Sequence, residues 1–83
     1  MSFDFWTTLI KVTEKPTGSA LESLEGNCTY VTGDYYIFEG DLEVLVDDGV
    51  VFEQVAEGVV GALGGLTEDE LKQVCLDSYG VKL

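Results

Sequence analysis

Carboxylates are the side chains of this sequence whose spacing could support chemistry. Six fall within fifteen residues: Asp34, Glu39, Asp41, Glu43, Asp47 and Asp48. Closely spaced carboxylates can act as acid and base in hydrolysis, can bind a hard cation, or can present a negative surface to a cationic protein. Each use requires other residue types nearby, and the presence or absence of those residues distinguishes the three uses.

The residue types that usually assist carboxylates or thiols in catalysis are missing. The 83 residues contain no His, which is the commonest general base, so neither Cys28 nor Cys75 has an imidazole to activate its thiol. The glycines of residues 58–65 match neither dinucleotide-binding nor phosphate-loop spacing. With sixteen carboxylates in a short chain, some pairs lie close together by chance. We therefore expect a protein that is not an enzyme and uses no cofactor.

Metal binding has only slightly more support. Residues 39–43 and 47–49 carry carboxylates of the type that bind calcium or magnesium, but neither segment follows the EF-hand loop pattern. The two cysteines are far apart and form no metal-binding motif. We expect incidental, weak cation binding and no functional metal site.

The net charge of −12 indicates what kind of partner the chain could bind. No basic residue lies between Lys15 and Lys72, whereas thirteen carboxylates do. Neighbours along the chain cannot neutralise them, and their summed field attracts cationic proteins and repels nucleic acid. Direct binding to DNA or RNA is not expected, because it requires Lys or Arg to contact phosphates. The alternative is that the charge serves only solubility.

The sequence also indicates a compartment. The first residues have neither the basic region nor the apolar run of a signal peptide, and no stretch of about 20 apolar residues could span a membrane. Cys28 and Cys75 are then predicted to be free, buried thiols in a reducing compartment. We expect a cytoplasmic protein without membrane contact.

Local patterns predict a single α+β domain over residues 1–83. Alternating apolar and β-branched residues predict a strand at 5–13. Ser19 is predicted to cap a short helix, Ala20–Glu25, that buries Leu21 and Leu24. The last helix shows the strongest pattern, with a capping box at 67–70 and a stop at Gly80. Its predicted buried stripe is Leu71, Val74, Cys75 and Tyr79.

A three-stranded meander is predicted between these helices. The pairs Gly33-Asp34 and Gly40-Asp41 suit two-residue hairpin turns, which gives strands 27–32, 35–39 and 42–47. This register places Tyr30 opposite Ile37. The predicted core face then carries Cys28, Tyr30, Tyr35, Ile37, Leu42, Val44 and Val46, with Thr32 and Glu39 as its polar members, and the opposite face carries Thr29, Val31, Tyr36, Phe38, Glu43, Leu45 and Asp47.

Residues 50–63 leave two readings open. An apolar stripe at helical spacing favours a helix: Phe52, Val55, Ala56, Val59, Val60 and Leu63. The alternative is a fourth meander strand over Val50–Val55. With the helix preferred, the predicted fold is a small antiparallel sheet, made of the N-terminal strand and the meander, packed on one face by a C-terminal helical hairpin.

The second sheet face is the predicted partner-binding surface. Tyr36 and Phe38 would supply apolar anchors beside the carboxylates. The predicted partner-binding residues are Asp34, Tyr36, Phe38, Glu39, Asp41, Glu43, Asp47 and Asp48. Two alternatives are a solvated face whose aromatic residues pair across strands, and a face covered by the first strand's surroundings or a second subunit.

In size, charge and absence of catalytic residues, the chain resembles small phage-encoded inhibitors of bacterial defence, including anti-CRISPR proteins and DNA mimics. The resemblance covers overall character and no particular stretch of residues. It implies a stoichiometric inhibitor that blocks the basic nucleic-acid-binding surface of a host protein in the host cytoplasm. The alternative is a structural or assembly protein, either a homodimer formed through Tyr36 and Phe38 or an accessory subunit.

Overall fold

The computed structural model describes residues 7–58 and 65–83. The described elements are β1 (Thr7–Val12), α1 (Ser19–Asn27), β2 (Cys28–Thr32), β3 (Tyr35–Glu39), α2 (Glu43–Asp47), β4 (Phe52–Glu57) and α3 (Glu68–Tyr79). The four strands form one antiparallel sheet in the order β2-β3-β1-β4. The prediction of an α+β fold with a small antiparallel sheet is confirmed.

β1 is the central strand of the sheet and confirms the strand predicted at 5–13 over its described part. Its neighbours Leu9 and Ile10 point to opposite faces of the sheet, and both are fully buried. A strand buried on both faces requires a covering layer on each side. The sheet therefore has two cores, where the sequence predicted helices on one face only.

The two cores are filled by different helices. On one face, Leu71 and Cys75 of α3 pack in a cluster with Leu9 of β1 and Ile37 of β3. On the other face, α1 and α2 cover the sheet, and the buried members of that cluster are Ile10, Val12, Ala20, Leu24, Phe38, Leu45 and Val50. The protein is thus a sheet sandwiched between α3 and the α1–α2 pair.

The β2–β3 hairpin is confirmed at its turn and differs from the predicted register beyond it. Thr32 pairs with Tyr35 across the Gly33-Asp34 turn, as predicted, and Gly33 has a φ of 56°. The register then shifts between Tyr30 and Thr32, which is the mark of a β-bulge.

The bulge makes the predicted pairing of Tyr30 with Ile37 wrong. Tyr30 lies opposite Tyr36 instead, and Thr29 lies opposite Ile37. Val31 turns into the core beneath α3, where it is buried. A shift of one residue exchanges the two faces of a strand, because side chains alternate with a period of two.

Residues 42–47 do not form the predicted third meander strand. The segment Glu43–Asp47 is a single-turn helix, α2, in which Leu45 is fully buried. The Asp41 carboxylate accepts a hydrogen bond from the Glu43 backbone N–H at 3.0 Å, which fixes the chain in a turn at the start of the helix. Val44, predicted to lie in the core, is exposed.

The helix predicted over residues 50–63 is also wrong where it can be compared. Residues Phe52–Glu57 form a strand, β4, as the alternative interpretation of this segment proposed. It pairs with the edge of β1 and not with a strand of the predicted meander. β4 ends before Gly58, whose φ is 72° and whose N–H donates to the Thr7 carbonyl at 2.8 Å. Val59, Val60 and Leu63, the rest of the predicted stripe, lie outside the described residues.

α3 has the ends that its sequence predicts. The Thr67 hydroxyl accepts from the Glu70 N–H at 3.3 Å, and the Glu70 carboxylate accepts from the Thr67 N–H at 3.0 Å. Gly80 ends the helix in the left-handed conformation. Leu71 and Cys75 are fully buried, as the predicted stripe requires.

α1 is longer than predicted by one residue at its start and two residues at its end, and it starts differently. The residue before it, Gly18, occupies the N-cap position, and no side chain bonds to the helix start, so the predicted cap by Ser19 is wrong. Leu24 is buried as predicted, whereas Leu21 is 39% exposed. In the described part of the chain, no helix has the length and apolar character needed to cross a bilayer.

Candidate functional site

The α1–α2 side of the sheet carries the densest negative charge. We define α1 together with residues 41–49 as the acidic layer. Its carboxylates are all exposed, and no lysine lies among them: Glu22, Glu25, Asp41, Glu43, Asp47 and Asp48. The layer therefore has a net charge of −6.

The α3 segment has lysines among its carboxylates. Residues 65–83 carry four carboxylates and two lysines, Lys72 and Lys82, which leaves −2. Three of those carboxylates lie in the first turn of α3, where the positive end of the helix dipole stabilises them. Negative potential is thus stronger over the acidic layer than over α3.

One hydrogen bond links α1 to the residue that ends α2, and a second lies within α1. The Ser23 hydroxyl of α1 donates to the Asp48 carboxylate at 2.6 Å, and the Asn27 amide donates to the Ser23 carbonyl at 2.9 Å. Asp48, like Asp41, thus has a structural role as well as a charge. The Glu43 and Asp47 carboxylates make no side-chain hydrogen bond within the described residues, so they remain available to a partner.

A pair of tyrosines lies beside the acidic layer. The rings of Tyr30 and Tyr36 are 5.3 Å apart with an interplanar angle of 64°, an edge-to-face contact across the β2–β3 pair. Tyr30 is 55% exposed and Tyr36 is half-buried. Burial raises the pKa of Tyr36, and the charges of Tyr30, Glu25 and Asp34 raise it further. Asp34 lines a groove together with Tyr36 and Leu21, and Glu25 follows Leu21 by one turn of α1.

The predicted partner-binding residues divide into groups. Asp34 and Tyr36 lie together at the tyrosine pair. Asp41, Glu43, Asp47 and Asp48 belong to the acidic layer. Glu39 is exposed but points to the α3 side of the sheet, because it alternates with Phe38 and shares a face with Ile37.

Phe38 requires a correction. It was predicted to be an exposed anchor on the binding face, but it is only 4% exposed and packs beneath the helices of the acidic layer. The predicted open sheet face does not exist, since α1 and α2 cover it. The row of carboxylates predicted along that sheet face is accordingly replaced by carboxylates on two helices and one turn.

Sequence reasoning missed several residues of this surface. Glu22 and Glu25 were counted in the net charge but not assigned to the site, and Tyr30 was assigned to the core. Glu22 and Glu25 could have been found, because a helix that buries Leu24 must expose them. Nothing in the sequence marked the bulge that exposes Tyr30.

Both thiols are free, as predicted, but only Cys75 is fully buried. Burial raises the pKa of Cys28 to about 11 and also raises the pKa of Cys75. Each thiol is therefore protonated at neutral pH, which disfavours nucleophilic chemistry. Within the described ranges, no three His, Cys, Asp or Glu side chains are grouped so that they could hold a metal ion.

Comparisons with known proteins give no further guide to the function. No family model, curated protein sequence or solved structure matches this chain.

Proposed function

We propose that this protein is a stoichiometric inhibitor, of the kind phages use against bacterial defence systems, that occupies the basic nucleic-acid-binding surface of a host protein. One observation carries the proposal: α1 and residues 41–49 bring six exposed carboxylates and no lysine to one side of the sheet, whereas residues 65–83 on the other side carry two lysines with their four carboxylates. A coat that served only solubility would not need this asymmetry.

The first turns of α1 and α2 favour Glu22 and Glu43, but the pairing of Glu22 with Glu25 and the position of Glu25 are costly to the fold, which favours a functional reason for them. Glu22 and Glu25 are neighbours at i and i+3 on α1, where like charges repel. Glu25 also lies in the last turn of α1, where the helix dipole disfavours a negative charge. Neither α1 nor α2 has a basic residue in its last turn.

Apolar side chains are exposed among the charges. Val44 and Val46 of α2 are 45% and 60% exposed, and Leu21 is exposed on α1. Charged groups steer association, while buried apolar contacts supply most of the affinity of a protein interface. A surface that offers both can attract a basic protein and then hold it.

The proposal is tested by capturing partners from bacterial lysate on the immobilised protein. We expect recovery of a basic nucleic-acid-binding protein at low salt, its loss at high salt, and its release by added duplex DNA. Competition by DNA is the informative result, because it shows that the two ligands share a surface. Recovery of only neutral partners, unaffected by salt or DNA, would count against the proposal.

The second candidate is an assembly protein that forms a homodimer or serves as an accessory subunit, and the exposure of Val44 and Val46 favours it. The predicted contact through Phe38 is excluded because that ring is buried. Two acidic layers would also repel each other in a symmetric dimer. A mass measurement in solution separates the candidates, since the inhibitor is expected to be a monomer.

A further inference from the structure

We infer that the partner docks an arginine side chain onto a tyrosine patch formed by Tyr30, Tyr36, Leu21, Glu25 and Asp34. This inference rests on the proposed function and specifies the chemistry of the partner. It concerns the edge of the sheet next to the acidic layer and not the acidic layer itself.

The hairpin geometry prepares an aromatic platform. Tyr30 lies on β2, an edge strand, and the bulge turns its ring away from the α3 core and toward Tyr36. The edge-to-face contact fixes the orientation of the Tyr30 ring without covering it, so more than half of the side chain remains exposed. A large aromatic ring held in place on the surface binds a ligand at a low entropy cost.

A groove begins beside this platform. It has a volume of about 440 Å³ and is lined by Leu21, Asp34 and Tyr36 on one side and by residues 12–16 on the other. Glu14 and Lys15 belong to that second side, so one lysine and one carboxylate balance there. Asp34 and the nearby Glu25 remain as the net charge of the patch.

Among the common side-chain groups of a partner, an arginine guanidinium fits this patch best. A guanidinium is planar, stacks on an aromatic face, and donates parallel hydrogen bonds to a carboxylate. Here Tyr30 offers the face, and Asp34 and Glu25 offer the acceptors. A lysine ammonium is strongly hydrated and compact, so it can use the carboxylates but gains less from the ring.

A second copy of this chain does not fit the patch as well. A symmetric contact through Tyr30 would bring Glu25 and Asp34 of both copies together, and Lys15, the lysine that lines the groove, is already balanced by Glu14. An arginine-bearing partner has the complementary charge, which is why we commit to that occupant.

The test compares hexa-arginine with hexa-lysine, two peptides of equal charge, by NMR titration of protein labelled at its tyrosine rings. We expect hexa-arginine to bind more tightly and to shift the ring signals of Tyr30 and Tyr36. Tyr30→Ala should weaken hexa-arginine binding about 2- to 5-fold, the size of an exposed cation–π contact, and should leave hexa-lysine binding unchanged. Tyr30→Phe keeps the ring and should bind like the native protein.

Leu76→Ala is the matched control, because Leu76 is a half-exposed apolar side chain on α3, and it should change neither affinity. Equal affinity for the two peptides, absence of binding by both, or unchanged ring signals would overturn the inference. The proposed function would survive each of these results if lysate capture still showed competition by DNA. A dimer that Tyr30→Ala dissociates would assign the patch to a second copy and also overturn the inference.

Discussion

α3 and the helices of the acidic layer cover opposite faces of one sheet but are stabilised in different ways. α3 has twelve residues, a reciprocal capping box at Thr67 and Glu70, and a left-handed stop at Gly80. α1 and α2 have nine and five residues, and the N-cap residue of neither helix supplies a side-chain hydrogen bond, although the Asp41 carboxylate accepts from the first N–H of α2. Isolated helices of that length are unstable in water, so the acidic layer depends on its tertiary contacts.

The comparison relates the position of the negative charge to the local stability of the helices that carry it. The clustered carboxylates lie on the helices with the weakest local signals, and their repulsion lowers the stability of that layer further. Leu24, Leu45 and the Ser23–Asp48 hydrogen bond oppose this repulsion. The surface proposed to bind a partner is therefore held by the core beneath it.

Replacing the core leucine of each layer should give the largest effects. Leu45 is the buried residue of α2, and Leu71 is fully buried in α3. We expect Leu45→Ala and Leu71→Ala each to lower the free energy of unfolding by about 2–5 kcal/mol, measured by denaturant titration.

The two variants should differ in binding. Leu45→Ala loosens α2 and should weaken partner binding even where the protein is folded, whereas Leu71→Ala should leave the affinity of the folded fraction unchanged. Equal loss of binding in both variants would show that the two layers are not independent.

Charge reversal should have the next largest effect and should affect binding differently in the two layers. The double variant Glu43→Lys/Asp47→Lys places lysines in the acidic layer, and the association rate with a basic partner at low salt should fall on the order of 10-fold. Asp77→Lys on α3 is the control, since Asp77 is exposed and a lysine suits the end of that helix. Stopped-flow kinetics at two salt concentrations measure both. Asp77→Lys changes the charge by two units where the double variant changes it by four, so a fall half as large on a logarithmic scale would mean that only net charge matters.

Removing one hydroxyl from each layer tests how the helices are held. Thr67→Ala removes the cap of α3 and should cost about 1 kcal/mol. Ser23→Ala removes the hydroxyl bonded to Asp48 and should cost a similar amount, about 1 kcal/mol. Thermal unfolding measures both, and only Ser23→Ala should change the hydrogen exchange of α2. Protection of α2 that is unaltered in Ser23→Ala would show that Leu45 alone holds this helix.

The smallest expected effect is a pH dependence confined to α3. The backbone N–H of Thr67, and then its side chain, hold the pKa of Glu70 below the ordinary value of 4.5. A lowered folded-state pKa stabilises the protein above pH 4.5, and this contribution is lost as the pH falls through the folded-state pKa.

Glu70→Gln keeps a capping side chain but cannot titrate, so the native protein should lose its advantage over this variant between pH 5 and the folded-state pKa. Urea unfolding across this range measures the difference. Parallel stability curves for the two proteins would contradict the assignment.

Part of this architecture was predictable from local patterns. α3 was predicted with both of its ends because the capping box, the Leu71–Cys75 stripe and Gly80 all lie within one segment. The strand at β1 and the turn at Gly33-Asp34 were predictable for the same reason. The carboxylates of the acidic layer were visible in the sequence as a region without lysine, although their arrangement was not.

What the sequence alone determined is therefore each element whose signals are local, together with the sign and concentration of the charge. The tertiary structure decided that 43–47 is helical, that 52–57 pairs with β1, and that Phe38 is covered while Tyr30 is exposed. Short segments fit more than one period, and they adopt the one that fills a core or completes a sheet edge. A one-residue bulge also reverses which side chains face outward, and only contacts between distant segments fix its position.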